Sequence, residues 1–113
     1  MFKASHNNHH RKNVAPIFAA LGDETRLALV TKLSKGDPLS IAELTKGSKV
    51  TRQAITKHLQ ILEDVGIVQS VRSGRENLFE FKPKQIEEVK TYLDHVSEQW
   101  DQTLARLKSF VER

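Results

Sequence analysis

The sequence predicts a mainly α-helical domain of about five helices carrying one small β-hairpin, and three observations predict it. Two short helix signals meet at a glycine turn within residues 40–62. Apolar residues then pass from helical spacing to strand-like alternation over residues 67–82, and a long apolar stripe follows from Ile86 to Val111. A chain of 113 residues suits one domain, and a domain this small gains from a partner that buries further apolar surface.

The first of the paired helices starts at a capping box, in which Ser40 accepts from the N–H of Glu43 and the Glu43 carboxylate reaches back to the N–H of Ser40. Gly47 stops that helix, and the Thr51 hydroxyl caps the next. Ile55, Leu59 and Leu62 recur at steps of four and three, so they form one buried stripe. Opposite them stand Arg52, Gln53, Thr56, Lys57 and Gln60, a face with donors and acceptors but no acid. A helix-turn-helix places such a second helix in the DNA major groove with its N-terminal residues at base edges. The plainer reading of these residues alone is a helical hairpin whose polar face is only solvated.

Charge favours the first reading. Between residues 46 and 75 six cations, Lys46, Lys49, Arg52, Lys57, Arg72 and Arg75, face two acids, Glu63 and Asp64, whereas residues 83–113 carry five cations and six acids. The basic charge is therefore concentrated on the segment expected to read DNA. An acidic protein could exploit the same charge, and a basic dimeric adaptor on this scaffold is the alternative from another class. The chain has no cysteine, which excludes structural disulfides, thiol switching and cysteine-ligated zinc. No apolar run approaches the roughly 20 residues that cross a bilayer, and the N-terminus lacks the apolar core of a secretory signal. The expected location is the cytoplasm.

The remaining elements follow in order. Residues 1–13 hold His6, His9 and His10 among Lys3, Arg11 and Lys12, and read as a disordered basic, histidine-rich arm rather than a metal site. Residues 14–113 form the DNA-binding domain. A short helix over residues 14–21 carries Ile17, Phe18 and Leu21 on one side, with Pro16 confined to its first turn. Asp23 caps a helix reaching about Ser34, where Leu27, Val30 and Leu33 give core spacing before Gly36, Asp37 and Pro38 break the chain. Residues 67–72 and 77–82 flank Ser73-Gly74-Arg75-Glu76 and read as a hairpin, anchored by Phe79 and Phe81, with Arg72 and Arg75 at its tip. A two-stranded wing with a basic tip can reach phosphates or the adjacent minor groove, so the order predicts a winged helix-turn-helix.

Pro83 starts a last helix over residues 83–111, which at about 1.5 Å per residue spans roughly 40 Å. Its stripe of Ile86, Val89, Leu93, Val96, Trp100, Leu104, Leu107 and Val111 is longer than a core of this size covers. A homodimer is expected through Val89, Leu93, Val96, Trp100, Leu104 and Leu107, helped by Ile17 and Phe18 of the first helix.

These motifs resemble the bacterial winged-helix repressors of the ArsR/SmtB type. The resemblance rests on Ala20-Leu21-Gly22-Asp23-Glu24-Thr25-Arg26-Leu27, on Thr56-Lys57-His58-Leu59 followed by Leu62, on Gly66-Ile67-Val68, and on Gly74-Arg75, and it covers most of the chain. It implies a homodimer that binds double-stranded DNA at a palindromic operator and represses transcription, often of its own operon. Many members sense metals, and here the match fails. One family site needs a Cys-x-Cys pair where this chain has Ile41, Ala42, Glu43 and Leu44. Another uses carboxylate and imidazole ligands on paired last helices, but Asp94 and His95 are adjacent and point about 100° apart, with Glu98 one turn later. The Trp-containing last helix looks more like the metal-independent subgroup. No metal, cofactor or enzymatic activity is expected, and no effector is assigned. A metal-responsive repressor using the N-terminal histidines or Asp94, His95 and Glu98 is the nearer alternative.

The residues expected at DNA are Lys46, Lys49, Thr51, Arg52, Gln53, Thr56, Lys57, Gln60, Arg72 and Arg75. Arg52, Gln53, Thr56 and Lys57 are expected at bases and nearby phosphates, and Lys46, Lys49, Arg72 and Arg75 mainly at phosphates. His58 reads as a packing or phosphate-contact residue, because no partner at metal or catalytic spacing accompanies it.

Overall fold

Side-chain caps decide where the short helices begin. Asp23 Oδ1 accepts from the N–H of Arg26 at 3.0 Å, Ser40 Oγ from that of Glu43 at 3.1 Å, and Thr51 Oγ1 from that of Ala54 at 3.1 Å. Glu43 Oε1 completes its capping box by accepting from the N–H of Ser40 at 3.0 Å. In the computed structural model, which describes residues 2–112 and the side chains of residues 11–112, these starts give α1 (Phe2–Leu21), α2 (Glu24–Leu33), β1 (Leu39–Ser40), α3 (Ile41–Thr45), α4 (Arg52–Asp64), β2 (Val68–Ser73), β3 (Glu76–Phe81) and α5 (Pro83–Val111).

The caps carry a pH dependence. Backbone and hydroxyl donors of Ser40 hold the Glu43 carboxyl below its ordinary value, and the Arg26 N–H, followed by the Arg26 charge, does the same for Asp23. A carboxyl with a lowered folded value contributes stability that is present above its unfolded value, near about 4, and lost as pH falls through the folded one. Glu43→Gln keeps an acceptor but cannot titrate. Thermal melts are expected to show a smaller loss of stability for this variant than for the wild type between about pH 5 and pH 3.

The three strands form an antiparallel sheet in the order β1-β3-β2. Leu39 pairs with Phe79 and Ser40 with Leu78, while the β2–β3 ladder runs from Val68↔Phe81 to Ser73↔Glu76. The hairpin therefore turns on Gly74 and Arg75, with positive φ at Gly74 (62°) and not at Arg75, as a type II′ turn requires. Gly66 closes α4 at φ 81°. Its N–H donates to Glu63 O and that of Ile67 to Leu62 O, both at 3.0 Å, a Schellman pair that satisfies the last carbonyls and aims the chain into β2.

Ile55, Leu59 and Leu62 of α4 are fully buried against Leu29 and Leu33 of α2, Leu44 of α3, Ile67, Val68 and Phe79. The core thus holds α4 by one face. Phe18 on α1 meets Tyr92 on α5 edge-on, with ring centroids 6.1 Å apart.

The structure corrects several expectations. The first helix does not begin at residue 14: α1 starts at Phe2 and runs through Pro16, which lies in its interior rather than its first turn. Pro16 removes one backbone donor, but it faces solvent while Val14, Ile17 and Ala20 bury the opposite side on both flanks. The side chains of His6, His9 and His10 lie outside the described residues. Leu27 is half exposed, and Leu29 takes its place in the core. The buried side of α2 is Arg26, Leu29, Val30 and Leu33, whose spacing is helical but whose first member is charged. β1 is an addition to the expected elements, because two residues are too short to show alternation.

Ile17 and Val89 are buried inside the chain's own core, so they support α1 and α5 from beneath instead of offering surface to a second chain. Beyond Val89 the rest of the α5 stripe emerges. Leu93 is 48 % exposed, Trp100 68 %, Leu104 60 % and Leu107 55 %. α5 has 29 residues, and the molecule extends 66 Å along one axis against 30 and 22 Å along the others.

Candidate nucleic-acid interface

The turn between α3 and α4 is tied internally. Lys46 N–H donates to Ala42 O at 3.1 Å, Ser48 N–H to Thr45 O at 2.9 Å, and Val50 N–H to Ser48 Oγ at 3.0 Å. This short path delivers the chain to the Thr51 cap, and burial of Ile55, Leu59 and Leu62 then fixes which face of α4 looks outward. That face carries Arg52, Gln53, Thr56, Lys57 and Gln60, all exposed, with Thr51 beside them at the N-terminus. The reading set expected from the sequence is thus brought onto one surface. Thr56 has a further constraint, because its hydroxyl donates to Arg52 O at 2.8 Å. Its hydroxyl proton is thereby occupied, which leaves acceptor lone pairs and a methyl group, a combination suited to a base amino group or a thymine methyl.

Lys46 and Lys49 are exposed in the turn, and Arg72 and Arg75 are exposed on the hairpin. Among the described residues none of the six cations between residues 46 and 75 is held in a salt bridge. Their charge is free to meet phosphate. A cleft of about 220 Å³, lined by Ser40, Ile41, Ala42, Arg52, Glu76 and Asn77, lies between the start of α4 and the neck of the hairpin. The N-terminus of α4 and the neck of the hairpin therefore border one cleft.

Two contacts that fix this arrangement are not legible in the sequence. Glu63 Oε2 accepts from the N–H of Ser70 at 2.9 Å and from its hydroxyl at 2.8 Å, clamping the end of α4 to β2. Gln69 and Glu80 hydrogen-bond across the hairpin. No local motif marks either pair, since each depends on how the wing folds back. Glu63→Ala is expected to weaken DNA binding about 3- to 10-fold by freeing the wing, with Glu63→Gln closer to the wild type. Titrations of both variants check this. Tighter binding by both would mean that the negative charge of Glu63 outweighs its clamp.

His58 faces inward, with its Nδ1 3.1 Å from Arg26 Nη1, so of its two expected roles the structure places it in the packing one. Asp94, His95 and Glu98 are exposed on α5, and no three or more His, Cys, Asp or Glu side chains gather as a metal site among the described residues. No helix among those residues is long and apolar enough to cross a membrane.

Comparison with known proteins agrees with this geometry. Residues 21–71 match a model of the helix-turn-helix domain. The chain is 45 % identical over 69 residues to YuzN, an uncharacterized HTH-type transcriptional regulator of Bacillus subtilis strain 168, covering 56 % of this chain and 75 % of that one. It is 26 % identical over 84 residues to the arsenic resistance transcriptional regulator ArsR1 of Pseudomonas putida, covering 73 % and 66 %. Among solved structures, an ArsR-like transcriptional regulator from Rhodococcus sp. RHA1 superposes with a TM-score of 0.74 at 35 % identity, covering 88 % of this chain and 92 % of that one.

Proposed function

We propose that this chain, which belongs to the ArsR-type family of winged helix-turn-helix transcriptional regulators, is a dimeric cytoplasmic repressor of a palindromic operator, often that of its own operon. As a member of that family it is a DNA-binding regulator and not an enzyme. The observation that carries the reading is the outward face of the first turns of α4, where Arg52, Gln53, Thr56, Lys57 and Gln60 are exposed with no acid among them, beside a hairpin that exposes Arg72 and Arg75. Two copies of α4 enter successive major grooves about 34 Å apart, so the operator is an inverted repeat with centres near 10–11 bp or a small multiple. Arg52, Gln53, Thr56 and Lys57 read bases and adjacent phosphates, with Thr51 and Gln60 at the edges of that set. Lys46, Lys49, Arg72 and Arg75 hold phosphates and set the register.

The dimer is made by Leu93, Val96, Trp100, Leu104 and Leu107, with Phe18 at the margin, because these side chains lie on one stripe and most are exposed. No resident metal is assigned, and the chain has no cysteine to supply a thiolate site.

Lys49 tests the division between phosphate and base contacts. Lys49→Ala is expected to weaken binding to operator and to unrelated duplex alike, and to flatten the dependence of log affinity on log salt by about one unit. Salt titrations on both duplexes measure it. A loss confined to the operator would make Lys49 a base-reading residue and contradict the assignment.

A further inference from the structure

We infer that Arg26 and His58 are positioning residues for DNA reading: their hydrogen bond sets the angle at which α4 leaves the α1–α5 layer, and hence the separation of the two reading helices. The inference rests on the dimeric DNA-binding role proposed above. Arg26 occupies an inward position on α2 and is held on several sides. Its Nε donates to Ala20 O at the end of α1 at 2.5 Å, its backbone N–H to Asp23 Oδ1 at 3.0 Å, and its Nη1 lies 3.1 Å from His58 Nδ1 on α4. One guanidinium thereby joins α1 to the middle of the reading helix.

The chemistry of the pair fixes the histidine. A guanidinium has only donors, so His58 Nδ1 accepts, and the ring is neutral with its proton on Nε2. Asp23 Oδ1 is 4.0 Å from the same nitrogen, too far for a hydrogen bond, so Arg26 and not Asp23 orients the ring. The remaining contacts of α4 with the core run through Ile55, Leu59 and Leu62, which are apolar and tolerate small rotations. A planar fork engaged at both ends is directional and does not. His58 follows Thr56 and Lys57 directly, and its side chain is only 22 % exposed, so rotating it moves the reading face without removing a base contact. Because α1 packs on α5, the same fork connects the proposed dimer layer to the reading surface.

The test uses the full chain, titrated by fluorescence anisotropy onto the DNA upstream of its gene and onto duplexes carrying one half-site of the repeat. His58→Asn puts an amide oxygen near the place of Nδ1 and can still accept; His58→Leu cannot, and Arg26→Lys loses the fork. His58→Asn is expected to stay within about threefold of the wild type on the full site. His58→Leu and Arg26→Lys are expected to lose at least about tenfold on the full site, with half-site affinity and salt slope preserved. In the wild type, ¹⁵N NMR is expected to show His58 with an unprotonated Nδ1 and a proton on Nε2. This holds whatever the stability of the leucine variant. Unchanged full-site binding by His58→Leu, equal losses on full and half sites, or a protonated Nδ1 at neutral pH would each overturn the inference. Failure of the wild type itself to prefer the upstream DNA would instead overturn the DNA-binding role on which it rests.

Discussion

Arg52→Ala is expected to lower affinity for the preferred site by about 10- to 100-fold and to abolish discrimination at one base pair in each half-site. A good bidentate contact between a side chain and a base is worth about 1–3 kcal/mol of discrimination. Arg52 is the first residue of α4, where a reading helix meets base edges, and it is exposed and outside any salt bridge among the described residues. The Thr51 cap holds the helix start in place beneath it. Titrating wild type and variant against duplexes with single base-pair changes measures the effect. Equal weakening on every duplex would make Arg52 a phosphate contact and shift base reading to Gln53 and Thr56.

The second large effect concerns assembly. Trp100→Glu together with Leu104→Glu is expected to convert the proposed dimer into a monomer and to weaken operator binding by about 100-fold or more. Two linked half-site contacts gain from effective concentration, and separate chains lose that gain. Both side chains are more than half exposed in the single chain, so the double variant should keep its helical content while its mass in analytical ultracentrifugation halves. A dimer that survives the substitutions would place the interface elsewhere, and the exposed α5 stripe would need another explanation.

The parts of this fold that follow from short-range chemistry are legible in the sequence. Ser40 and Glu43, Thr51, Asp23 and Pro83 each act within four residues, and α5 begins at Pro83 and ends with its stripe at Val111. The outward face of α4 is equally readable, because three buried residues on a 13-residue helix leave little choice of rotation. Local pattern misleads where a side chain's partner is remote. Arg26 looks like a surface charge until His58, 32 residues away, and Ala20 take up its donors, and that charge disguises the buried side of α2. Leu27 reads as core in consequence, and Leu29 escapes notice. β1 exists only because β3 is there to pair with it. Ile17 and Val89 lie on the stripes expected to meet a second chain, but α1 and α5 bury them against their own core first.

The site shows the same division. The exposed polar face of α4 is local and legible, whereas the clamp from Glu63 to Ser70 and the fork from Arg26 to His58 join elements that the sequence does not place side by side. These ties determine orientation, and orientation decides whether an outward polar face reads DNA or is merely wet.

The most direct test is therefore a comparison of two duplexes. Fluorescence anisotropy at about 150 mM salt would titrate the protein onto the DNA upstream of its own gene and onto a shuffled duplex of equal length. A preference of at least about 10³-fold for the upstream DNA is expected of an autoregulating repressor with a specific operator. Equal, weak and salt-sensitive binding to both duplexes would contradict it.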